Sequence, residues 1–213
     1  MEALITGFEP FLSFKENPSQ LIAKNLDGQN IDGVRLTGAV LKVSYEDALV
    51  ALDKLLKEKR WDIVLSLGLN PQIGWIAVER FAHNIKESEE PDERGVLAEG
   101  EEIIPGGETV LKSGLPVRRI IQSLREEGIP SAVSHSAGGY LCNAVFYFVL
   151  HRIGEWKGVG GFLHIPLHTE YVARERKHYG RGHMPLELIE RGVVRALQIT
   201  IEEGVRQDRH REG

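Results

Sequence analysis

The sequence predicts an α/β fold, a layered domain built on a largely parallel sheet. Two observations predict it. Short β-rich runs alternate with amphipathic stretches along all 213 residues. Two of the runs, "DIVLSLGL" and "GVGGFLHIP", read as strands buried inside a sheet. The length suits one domain with a full core, and no repeat, low-complexity tract or linker divides residues 1–213. A short polar tail follows from about residue 205, where "RQDRHREG" reads as a solvated end.

Each element has its own signals. "EALITGF" predicts a first strand over about residues 3–6, ended by glycine. In "ENPSQLIAKNL", Asn17 is a candidate N-cap and Pro18 suits the first helical position, with Leu21, Ile22 and Leu26 on a helical spacing. "GVRLTGAVLKVS" gives one or two strands. "YEDALVALDKLLKEKR" is an amphipathic helix, with Ala48, Leu49, Leu52, Leu55 and Leu56 on one stripe. "GWIAVERFAHNI" alternates and is a further strand or hairpin arm. "GLPVRRIIQSLREEG" is a helix that Pro116 helps start and Gly128 ends. "PSAVSHSAG" is a strand and "LCNAVFYFVLHRI" a largely buried helix. "MPLELIERGVVRALQITIEEG" closes the chain as a long helix with Gly192 inside it.

Composition narrows the function. The net charge is −5, so no general basic surface awaits a nucleic-acid backbone. No apolar run reaches the roughly 20 residues a membrane helix needs. The N-terminal "MEALITGFEP" lacks the basic start and long apolar stretch of a signal peptide. The single cysteine cannot form an internal disulfide, which favours a reducing, cytoplasmic setting. The charge-rich "KEKRW" and "KESEEPDER" read as mostly solvated surface.

In parallel sheets, ligands bind outside the carboxyl ends of the strands. Three polar residues stand at such ends. Cys142 follows a strand and a Gly-Gly turn and opens a helix. That setting offers unpaired backbone N–H groups and the positive end of a helix dipole, which activate a thiol and can hold an oxyanion. An inert buried cysteine is the other reading. His164 closes the apolar strand "GVGGFLH", where a catalytic base or a core histidine would stand. Glu79 shares a strand face with Trp75 and Ala77, and could orient an imidazole or pair with Arg80. His168, His178 and His183 follow His164, but the intervening proline argues against a shared helical face and a metal site. Phosphate-loop, G-x-S-x-G, HExxH and dinucleotide fingerprints are absent.

Together the segments "TGFEPF" with "NPS", "GLNP", "VERFAHNI", "PDERG", "SHSAGGYLCN", "GFLHIP" and "MPLE" resemble the pyrrolidone carboxyl peptidases, also called pyroglutamyl peptidase I, over nearly the whole chain. The resemblance implies a three-layer α/β/α sandwich around a twisted, mostly parallel mixed sheet of the phosphorylase/hydrolase-like type. It implies a cysteine peptidase that removes N-terminal pyroglutamyl residues from peptides through a Glu79, Cys142 and His164 triad and an acyl-thioester. It implies no metal or organic cofactor, and a homo-oligomer, dimer or tetramer. Phe8 and Phe11 would wall the lactam, and Tyr140 and Leu141 would line the same pocket. The chain departs from the family pattern at several positions. Gln72-Ile73 stand for Gly-Arg. Glu90 stands where an apolar residue belongs to the substrate pocket. His135 replaces an asparagine, and Leu167, His168 and Thr169 follow "HIP" in place of Tyr-x-Pro. These departures leave open a related thiol hydrolase with a different acyl group, or a non-catalytic small-ligand module.

Overall fold

The computed structural model describes residues 1–156 and 158–211, with side chains to residue 204. Seven strands form the central sheet: β1 Glu2–Phe8, β2 Asn30–Ile31, β3 Val34–Leu41, β4 Ile63–Leu69, β5 Ile76–Glu79, β6 Ser131–Ser134 and β7 Val159–Ile165. Their spatial order is β6-β5-β7-β4-β1-β3-β2. The pairs β6/β5, β7/β4, β4/β1 and β1/β3 are parallel. The β5/β7 and β2/β3 pairs are antiparallel, so the sheet is mixed. The expectation of a largely parallel sheet therefore holds, with its antiparallel seam beside the candidate site.

Among the described residues, six α-helices flank the sheet: α1 Pro18–Leu26, α2 Tyr45–Glu58, α3 Val117–Glu126, α4 Leu141–Ile153, α5 Thr169–Arg174 and α6 Leu186–Arg211. Alternation along the strands explains the layers. Ala3, Ile5, Ile63 and Leu65 meet α1, α3 and α6 through Ile22, Ile120 and Val193. Leu4, Val64 and Phe162 face the other way, onto Leu52 of α2 and Phe146 of α4. Two apolar clusters on opposite faces of one sheet make a three-layer sandwich.

The helix starts follow the capping signals. Asn17 accepts from Ser19 N–H at 3.1 Å, with Pro18 in the first turn. Ser44 caps α2, whose first turn carries Glu46 and Asp47 at the positive dipole end. The last helix continues past Gly204, where the sequence reading ended it, to Arg211. The expected polar tail otherwise falls outside the described side chains. No described helix is long and apolar enough to cross a membrane.

The "GWIAVERFAHNI" segment divides at Arg80. Its first half is β5, and its second, Phe81–His83, leaves the sheet to pair antiparallel with Val110–Lys112. The charge run at 86–94 is not wholly solvated either. Asp92 is buried, and its carboxylate accepts from the N–H groups of Tyr45, Arg94 and Val96, each at 2.9 Å.

Candidate active site

The site lies at the carboxyl ends of β4 and β7, as parallel-sheet topology requires, where the oppositely directed β5 and β6 run alongside them, so Glu79 does not share with His164 the strand-end placement expected of it. Glu79 ends β5 and His164 is the penultimate residue of the neighbouring β7. Their side chains meet, His164 Nδ1 lying 2.7 Å from Glu79 Oε1. Both are buried, Glu79 being 1% exposed. Arg80, the alternative partner of Glu79, contributes only backbone bonds, to Ser134 O and from Ser113 N–H.

Cys142 enters from the other side of the ring. Residues 134–140 turn from β6 to α4 through the glycine pair, and each glycine has a separate reason. Gly138 adopts φ +80°, which side chains rarely tolerate. A Cβ on Gly139 would overlap the backbone of Glu87, whose N–H donates to Gly139 O at 2.9 Å. The turn places Cys142 in the first turn of α4, a helix without a side-chain N-cap. The first intrahelical bond runs from Ala144 N–H to Tyr140 O, so the N–H groups of Leu141, Cys142 and Asn143 precede it.

Cys142 is half-buried, and its sulfur is close enough to His164 to act on the imidazole. Burial alone pulls the imidazole down. The neighbouring Cys142 sulfur and then Glu79 more than offset this, and His164 is pushed up to about 10. The sulfur also has a fitted seat. A Cβ at Gly68 of β4 would stand 2.7 Å from both Cys142 Sγ and the Phe162 ring.

One residue missed in the sequence ties this geometry together. Asn143, fully buried, accepts from His83 N–H at 2.9 Å and donates to His83 O and Ile85 O at 2.8 and 2.9 Å. It fastens the start of α4 to the segment that continues from Glu79. Its place beside the cysteine was the available signal.

Two cavities meet at Cys142. The smaller is apolar and lined by Phe8, Phe11, Val43, Tyr140 and Leu141, among others. Its free space of about 20 Å³ is room for about one water. The larger, about 590 Å³, contains Cys142, His164 and Glu79 in its wall. Phe11, Leu69, Tyr140 and Cys142 line both. Four expected pocket residues thus come together, joined by Leu69 at the end of β4 and Val43 just beyond β3, both apolar positions indistinguishable from core. Tyr140 donates its hydroxyl to Pro91 O at 3.2 Å. Burial, with the carboxylates of Asp92 and Glu93, pushes that phenol up to about 12.

Glu90 does not join them. It is exposed and lines neither cavity, so no unpaired carboxylate is buried against the ring pocket. Gln72 is exposed, whereas Ile73 is buried in the wall of the larger cavity. His135 is exposed beside Phe81. His168 is buried, with Nε2 3.0 Å from Glu16 and Nδ1 3.2 Å from Glu170. His178 is buried against the Phe14 and Tyr171 rings. His168 and His178 are thus held apart from the Cys142 site by separate partners.

The pyroglutamyl peptidase family model matches residues 1–207. A pyrrolidone-carboxylate peptidase of Pyrococcus furiosus is 38% identical over 204 residues, covering 95% of this chain and 97% of that protein. One from Saccharolobus islandicus is 36% identical, covering 94% and 95%. The solved pyrrolidone carboxyl peptidase of Thermococcus litoralis superposes with a TM-score of 0.91 at 35% identity, covering 97% of this chain and 96% of that one. That of Pyrococcus furiosus gives 0.91 at 38%, covering 95% and 99%. With a match that spans the sheet, the helices and the cysteine-bearing turn alike, this chain belongs to the pyroglutamyl peptidase family of cysteine-peptidase hydrolases.

Proposed function

We propose that the protein hydrolyses the amide bond after an N-terminal pyroglutamyl residue, with Cys142 as nucleophile, His164 as acid and base, and Glu79 as the carboxylate that orients His164. One observation carries the reading: a buried imidazole bonded at 2.7 Å to a buried carboxylate, with the single thiol of the chain beside it.

Cys142 Sγ, its proton already carried by the raised His164 imidazole, attacks the pyroglutamyl carbonyl carbon. The oxyanion that forms is held by N–H groups of the first turn of α4. The carbon–nitrogen bond then breaks, and the imidazolium delivers its proton to the departing amine. The acyl group remains as a thioester. Water, deprotonated by His164, attacks it, and the thiol is released with pyroglutamate. Glu79 fixes the ring through Nδ1, which leaves Nε2 for these transfers.

The lactam is small, flat and uncharged. The apolar space between Phe8, Phe11, Tyr140 and Leu141 suits it chemically. Its limited free volume requires Phe11 and Tyr140, at the boundary of the two cavities, to part as the ring enters. A cytoplasmic setting is supported by a nucleophile that must stay a free thiol. A dimer or tetramer rests on the family resemblance.

Turnover of a pyroglutamyl chromogenic substrate tests the reading. Wild type is expected to release the chromophore, and Cys142→Ser to reduce release at least about 10³-fold with the fold retained. No release by folded wild type, or near-normal release by the serine variant, refutes it.

A further inference from the structure

The larger cavity extends well beyond the scissile bond. Its volume of about 590 Å³ lies in the range that encloses small organic ligands rather than single bonds. With the acyl ring on the Phe8 and Leu141 side of Cys142, the leaving peptide runs into the remainder of this space. The walls there include Leu12, Phe14, Ile73, Trp75, Ala132 and Val133. The charged side chains in the lining are Glu79 and His164, which are engaged with each other.

Two of the large apolar side chains left exposed on the described surface stand at this cavity, Leu12 at 57% and Trp75 at 41%. Leu12 is held with φ +51°, a left-handed conformation that a leucine adopts at a cost. Its N–H donates to Glu93 Oε1 at 3.3 Å, which fastens the turn. Ile73, buried in the same wall, adds to its apolar surface. Gly182 backs it, because a Cβ there would collide with the Ile73 backbone.

We propose that this space is a leaving-residue subsite selective for apolar and aromatic residues immediately after the pyroglutamyl group, with Trp75 and Ile73 as its specificity-determining side chains. The inference rests on the pyroglutamyl-peptidase reading. An apolar leaving side chain covers Trp75 and Leu12 from water. A charged one loses hydration and meets no free counter-charge. An aromatic leaving residue additionally has the exposed Trp75 face to stack upon.

The test compares kcat/KM for the amides of pyroglutamyl-Phe, -Leu, -Gly, -Asp and -Lys, with pyroglutamyl aminomethylcoumarin as the reference for acyl recognition. The Phe and Leu substrates are expected to exceed those of Gly and Asp by about tenfold or more, in keeping with apolar-pocket discrimination. Trp75→Ala should lower the Phe-to-Gly ratio about tenfold, and Ile73→Arg should raise the Asp-to-Leu ratio by a similar factor. Trp75 is exposed, so its variant keeps the test valid even if Ile73→Arg folds poorly. Equal kcat/KM across the five substrates, or a Phe-to-Gly ratio unmoved by Trp75→Ala, overturns the subsite while the coumarin turnover leaves the functional reading standing. Failure to cleave every pyroglutamyl compound overturns the reading and the subsite together.

Discussion

His164 and Glu79 are joined across the β5/β7 seam on the diagonal: His164 is paired in the ladder with Ala77, yet its Nδ1 lies 2.7 Å from Glu79 Oε1. Diagonal neighbours on one face of an antiparallel pair stand about 7–8 Å apart at the backbone, a gap that a long side chain closes. The imidazole is therefore aimed by strand register together with the length of Glu79.

Glu79→Gln keeps that length and removes the charge. Without the carboxylate, the imidazole falls from its elevated position near 10. The expected cost in kcat is about 10²–10⁴-fold, the usual worth of positioned acid–base catalysis. Titration of the His164 ring by NMR, beside the pH profile of kcat/KM, checks both effects. An unchanged titration would sink the assignment.

The same group couples stability to pH. His164 is raised from 6.5 to about 10 in the folded chain, so folding favours its protonated form. That stabilisation is complete below about 6.5 and is lost as pH rises towards about 10. Thermal melts of wild type between those values should lose more stability than melts of His164→Asn. Parallel curves would show that the proton is not held by the fold.

Cys142 is the only thiol, so iodoacetamide reports on one site. It is half-buried and its sulfur neighbours the His164 imidazole. His164→Ala removes the base that takes its proton, and alkylation near neutral pH should slow by about tenfold or more. Mass spectrometry against time measures this. Equal rates would make the cysteine an ordinary surface thiol.

Gly68→Ala adds one methyl 2.7 Å from Cys142 Sγ and from Phe162 Cζ. The sulfur or the ring must move, at a cost of about 1–3 kcal/mol for an overpacked core. Activity should fall by at least about tenfold, since small misplacements of reacting groups are costly. Kinetics and thermal unfolding on one preparation separate the two losses.

Asp92→Ala strips a buried acceptor from the N–H groups of Tyr45, Arg94 and Val96. Burial raises this carboxyl, but the three N–H bonds outweigh it and the group is held below 3.8. Its contribution is present above 3.8 and disappears as pH falls through the lowered value. The variant should lose roughly 2–3 kcal/mol at neutral pH and show a smaller acid-induced loss than wild type. Denaturant titrations at pH 7 and pH 3 measure the difference.

Much of this was legible in the sequence because the signals were local. Asn17-Pro18 marks a helix start chemically, and the two-residue period of β5 puts Ala77 and Glu79 on one face. The break at Arg80 was not legible, since alternation continues while the chain passes from one sheet to another. Asp92 sits in a charge run that composition reads as solvated, though an aspartate two and four residues before its N–H donors is a turn signal in its own right. Glu90 faces solvent although the next residue, Pro91, accepts from the Tyr140 hydroxyl, because burial depends on where the 86–98 loop folds over the sheet and not on residue type.

The β5/β7 seam has a consequence for how such an enzyme can change. Glu79 and His164 are written into hydrogen-bonded strands, whereas Leu12, Ile73 and Trp75 stand on the connections between elements. Variation in those connections can retune what departs from the scissile bond without disturbing the chemistry that breaks it. Ile73, on such a connection and in the cavity wall, is where that division between a fixed engine and an exchangeable selector would show.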